Sequence, residues 1–131
     1  MHVNIWFPAA GRTGRASLEL SSGRYITGYG QDTLADDIES EGGHPDKVID
    51  LNSLNLDEEA IEKWRIDWIN GGACMLLGPN CCKVVYDALR AGGATFSPNV
   101  MWSPVILYRY LIRITEGWIS LAASFINSIP I

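Results

Sequence analysis

An α+β domain is predicted from this sequence: a small antiparallel sheet packed against a core helix that starts at a cysteine. Three observations predict it. Short runs near the N-terminus alternate apolar and polar residues at period two, later segments carry apolar residues at helical spacing, and a Gly78-Pro79 turn with Asn80 stands directly before Cys81-Cys82.

The strands come first. Val3, Ile5 and Phe7 alternate with Asn4 and Trp6 until Pro8 ends the run. Ala16, Leu18 and Leu20 then alternate with Arg15, Ser17 and Glu19, and Ser21-Ser22-Gly23 turns the chain into a third strand from Arg24 to about Tyr29. Pairing through the turn between Pro8 and Gly14 sets Phe7 opposite Arg15 and His2 opposite Leu20. From Gln31 to Asp50 the chain carries Asp32, Asp36, Asp37, Glu39, Glu41, Asp46 and Asp50 with little hydrophobic periodicity. It reads as a long acidic loop, solvated rather than built to hold a cation.

Helices follow. Asn55 and Glu58 have the spacing of a capping box that opens a helix through Asn70, with Ile61, Trp64 and Trp68 as its apolar stripe. Ala73-Cys74-Met75-Leu76-Leu77 is short enough to read as a buried strand. Asn80 is a good N-cap for a helix that places Val84, Val85, Ala88 and Leu89 on one face and stops at Gly92-Gly93. Ser103-Pro104 heads another helix, with Val105, Tyr108, Leu111 and Ile112 on one side. The last stretch, from Gly117 to Ile131, is apolar but shorter than the roughly 20 residues that span a bilayer. A docked terminal helix is favoured over an interfacial one that touches a membrane or a partner.

At 131 residues the chain is read as one domain, 1–131, and its net charge of -5 argues against nucleic acid, which needs a basic face. Its partner is therefore expected to be a protein, a peptide or a small molecule. Three cysteines, two of them adjacent, make no disulfide framework, which suits a reducing compartment. The N-terminus lacks the pattern of a secretory signal, so a cytoplasmic location is expected. No cofactor or metal is expected either, because His2 and His44 lie far from the cysteines and from each other.

Cys81 is the candidate nucleophile. A thiol in the first turn of a helix meets unpaired N–H groups and the positive end of the helix dipole, which favour its thiolate. The plainer alternative makes Cys81 and Cys82 small buried hydrophobes of a core helix.

Taken together, these pieces resemble the permuted papain-like cysteine hydrolases of the NlpC and lecithin:retinol acyltransferase group. The resemblance rests on Gly14-Arg15-Ala16-Ser17-Leu18, Ile49-Asp50-Leu51, Ala60-Ile61-Glu62-Lys63-Trp64, Asn80-Cys81 through Gly93, and Trp102-Ser103-Pro104. It implies a peptidase, amidase or acyltransferase of the kind found in bacterial effector or toxin proteins, acting on a peptide, protein or acylated substrate. It further implies Cys81 as nucleophile after Asn80, a catalytic histidine where this chain has Arg15, and a third, orienting residue at Thr27. Arginine is never appreciably deprotonated in a protein, so Arg15 cannot act as a base; its charge can still favour a thiolate at Cys81. The alternative function is a pseudoenzyme, the same fold used as a binding module whose Arg15 and Cys81 cleft receives an anionic group such as a peptide carboxylate.

Overall fold

The structure is a computed structural model that describes residues 1–10, 12, 14–27, 33–70 and 81–128, with side chains through residue 116. Four strands form one antiparallel sheet: β1 (His2–Trp6), β2 (Arg15–Glu19), β3 (Tyr25–Thr27) and β4 (Lys47–Asp50), in the order β3-β2-β1-β4. Among the described residues four helices accompany it: α1 (Leu34–Glu41), α2 (Glu58–Asn70), α3 (Cys81–Ala91) and α4 (Pro104–Ser128). The α+β class and the helix that begins at Cys81 are as expected. The expected strand at Ala73–Leu77, the cap Asn80 and the end of the third strand beyond Thr27 lie outside the described residues.

Alternation along the strands sorts their side chains onto two faces. Val3 and Ile5 lie opposite Leu18 and Ala16, and Ile26 opposite Leu18. These five are buried in the cluster that includes Val85, Leu89, Leu107 and Leu111, so α3 and α4 cover this face. The other face carries Asn4, Trp6, Arg15, Ser17, Tyr25 and Thr27. Trp6 is fully buried there and its Nε1 donates to Gly43 O at 2.8 Å, in the connection between α1 and β4. β1 is thus an interior strand buried on both faces, whereas its sequence promises one wet face.

Residues 33–50 are not one long loop. Thr33 caps α1 through a capping box with Asp36, and Gly42 closes it in the left-handed conformation at φ 77°. Asp36 and Asp37 in the first turn also suit the helix dipole. β4 then pairs with β1, His2 opposite Asp50. Asp46 supports the join, accepting from Phe7 N at 2.8 Å and from Arg12 at 2.5 Å; these bonds, the Phe7 amide first, hold its carboxyl below the ordinary range.

Other boundaries shift as well. Trp6, not Phe7, sits opposite Arg15, and His2 sits opposite Glu19 rather than Leu20. Asn55 does not cap α2; it ends a short 3-10 turn (Asn52–Leu54) at φ 50°, and Asp57 accepts from Ala60 N to start the helix. On α2, Ile61 is buried while Trp64 and Trp68 stack at 5.8 Å, half-buried. The buried stripe of α4 is Leu107, Tyr110 and Leu111, and Val105 is exposed. α4 runs unbroken into the terminal stretch as far as Ser128. Among the described residues no helix is long and apolar enough to cross a membrane.

α2 docks on α3 through Gly92, whose carbonyl accepts from Asp57 N at 2.9 Å. A Cβ built on Gly92 would stand 2.8 Å from Ile61 Cδ1 and Cγ1 and 3.3 Å from Asp57 O. There is no room for it. Gly92→Ala is therefore expected to destabilise the fold by about 1–3 kcal/mol in urea unfolding, and trimming Ile61 to Val in the same chain to recover part of that loss.

Candidate functional site

The site is assembled where the start of α3 meets β2. Cys81 is the first residue of α3 and only 9 % exposed, so its own N–H and those of the first turn have no carbonyl partner within the helix. Ala16, on the face that α3 covers, directs its backbone N–H to the Cys81 sulfur. Cys82, the next residue along the helix, is 2 % exposed. Together these groups outweigh desolvation. The Cys81 thiol is pulled down to about 7, by the Cys82 S–H first, then by the Ala16 N–H, the positive charge of Arg15 and its own N–H, while burial opposes them. Cys82 moves the other way, held protonated by its bond to Cys81 and by burial.

Arg15 is next to Ala16 in the chain and so points to the opposite face, toward α1. There its Nη1 binds the fully buried Asp37, its Nη2 binds Ser40 Oγ at 3.2 Å and its Nε lies 3.4 Å from Glu41 Oε1. Tyr25 OH donates to the second oxygen of Asp37. Burial, and then that bond, push the Tyr25 hydroxyl far above its ordinary range. The guanidinium reaches Cys81 by its charge while its hydrogen bonds anchor α1.

Thr27 is buried on this α1 side, opposite Ser17, and its Oγ1 has no hydrogen-bond partner among the described residues. It shares a face with Arg15 and not with Cys81. His2 is bound to Glu19 at 2.9 Å, four register pairs from Arg15 or roughly 13 Å at strand rise. His44 is exposed in the turn after α1, beside the Gly43 that receives Trp6. Neither histidine is on the α3 side of the sheet. Among the described residues, no group of three or more His, Cys, Asp or Glu side chains could hold a metal ion.

Sequence reasoning missed two parts of this arrangement. One is the effect of Cys82 on the Cys81 thiol, for which the Cys-Cys pair itself is the signal. The other is the shell around Arg15, supplied by α1, whose signal is the Thr33 and Asp36 spacing of a capping box.

Among the described residues the arrangement offers a thiol and several donors, with no histidine beside it. Iodoacetamide labelling of Cys81 is expected to rise with pH about a midpoint near 7, and Cys82→Ala to move that midpoint upward toward the ordinary thiol range near 8.5. Mass spectrometry of the labelled peptides reads both. Asp37→Ala leaves a buried guanidinium short of a counter-charge and is expected to cost roughly 3 kcal/mol in thermal or urea unfolding.

No family model matches this chain, and no curated protein or solved structure is detectably similar to it.

Proposed function

We propose that this chain is a permuted papain-like cysteine acyl-transfer domain in which Cys81 is the nucleophile and the general base of such enzymes is missing. The observation that supports it is the placement of Cys81 as the first residue of α3, beside Ala16 of β2, where its thiol is pulled down to about 7. A thiolate so favoured near neutral pH attacks a carbonyl without first giving up a proton to a base. The N–H groups of the first turn of α3 are suited to the oxyanion that forms.

The missing base then selects the leaving group. With no imidazole to donate a proton, the tetrahedral adduct collapses readily only when the departing atom is stable as an anion. A thioester meets that demand, since a thiolate of pKa about 8.5 leaves unprotonated near neutral pH; an amide nitrogen does not. In the first half-reaction the Cys81 sulfur bonds the acyl carbon and the bond to the departing sulfur breaks, leaving S-acyl Cys81 and a free thiolate. Water or a second nucleophile then takes the acyl group. The binding-module reading needs an anion contact other than Arg15, because α1 already engages that guanidinium.

S-acetyl-N-acetylcysteamine is expected to acetylate the wild-type chain once, at Cys81, with no adduct in Cys81→Ser and no release from a matching anilide. Absence of an adduct at Cys81 in the folded wild-type chain between about pH 6 and 9 sinks the acyl-transfer reading.

A further inference from the structure

A second site lies at the other end of α3, against the start of α4. A cavity of about 190 Å³ is lined by Ser97, Asn99, Ile106, Arg109, Tyr110 and Arg113. Its walls are held firmly. Tyr86 OH accepts from Ser97 N at 2.9 Å and donates to Ser97 O at 3.2 Å, and Tyr110 OH donates to Thr95 O at 2.5 Å. Tyr86 stacks on Trp102 at 4.2 Å, and Tyr110 stands edge-on to both rings. The loop between α3 and α4 is therefore pinned to the helix that carries the arginines.

Arg109 and Arg113 are one helical turn apart on the same face, and both are exposed. Among the described residues neither has an ion-pair partner, in a chain with 15 acidic residues against 10 basic ones. Glu116 is three residues further on but does not line the cavity. Two like charges at this spacing repel each other, and an anion seated between them turns that repulsion into attraction. Two guanidinium forks, the Ser97 hydroxyl and the Asn99 side chain offer more donors than the two oxygens of a carboxylate can use. A phosphate group, with more oxygens and up to two charges, fits the set.

We propose that this cavity binds a phosphate monoester, held by Arg109 and Arg113 and oriented by Ser97 and Asn99. The site is independent of Cys81. Beside it the chain exposes apolar side chains: Val100 and Met101, which follow Asn99, are 89 % and 77 % exposed, and Val105, which precedes Ile106, is 41 % exposed. A phosphate that carries an apolar tail, in a lipid headgroup or a free amphiphile, would meet both surfaces at once.

The test uses the full chain, Arg109→Gln, Arg113→Gln and the double variant; both positions are exposed, and circular dichroism verifies the fold. Inorganic phosphate is titrated while the arginine Nε–Hε signals are followed by NMR, and the chain is sedimented with phosphatidylcholine vesicles with and without phosphatidic acid. Saturable shifts of Arg109 and Arg113 with phosphate, weakened about tenfold or more by either substitution, support the site with a soluble source. Sedimentation only with phosphatidic acid, lost in the double variant and in Val100→Ser/Met101→Ser, supports it with a lipid source. No response to either probe, or an equal response in the double variant, overturns it.

Discussion

A guanidinium taken out of water must find its counter-charges inside the protein, and much of this structure follows from how Arg15 meets that demand. Its side chain is 13 % exposed between the sheet and α1, facing Asp37 and Glu41. Those two carboxylates are one turn apart on α1 and would repel each other without it. With it they fasten α1 to the sheet. The sheet is therefore covered on both faces: an apolar cluster joins it to α3 and α4, and a polar network joins it to α1. Removing charge from either side of that network leaves the remainder buried and uncompensated.

The same side chain separates two properties that cysteine hydrolases combine. Stabilising a thiolate needs donors and positive charge, which the head of a helix, a neighbouring S–H and a backbone N–H supply without any base. Moving a proton to a leaving group needs a group that titrates near neutral pH. On the proposed reading the first is met at Cys81, and position 15, where that reading looks for the second, carries a permanent cation bound to α1. On that reading the reaction is limited by the departure of the leaving group rather than by activation of the thiol.

Alternation made β2 and its turn legible from the residues alone, because Ala16 and Leu18 face a hydrophobic layer and Gly23 takes φ 90°. The cap at Ser103 likewise located the start of α4, and helical spacing located α3. α1 escaped because the face it buries is charged: Asp37 and Glu41 point inward, and no apolar stripe of helical period marks the segment. The register between β1 and β2 slipped by one because Trp6 and Phe7 are both apolar, so pattern alone does not say which of them faces Arg15. The site was legible in part. Cys81 announces itself by position, whereas the partner of Arg15 lies 22 residues away on an element that periodicity did not reveal.

β4 gives the sheet an outer edge, with one side of its backbone unpaired by any other strand of the sheet. Such an edge is a template on which another chain can add a strand. Here the template is poor: it is four residues long, begins with Lys47 and ends with Asp50, and has one well-exposed apolar side chain, Val48. A strand approaching it meets a charge at each end and little hydrophobic surface between them. Crowded copies of this protein thus have little reason to stitch their sheets together along β4, and its shortness works as a guard against fibrous self-association.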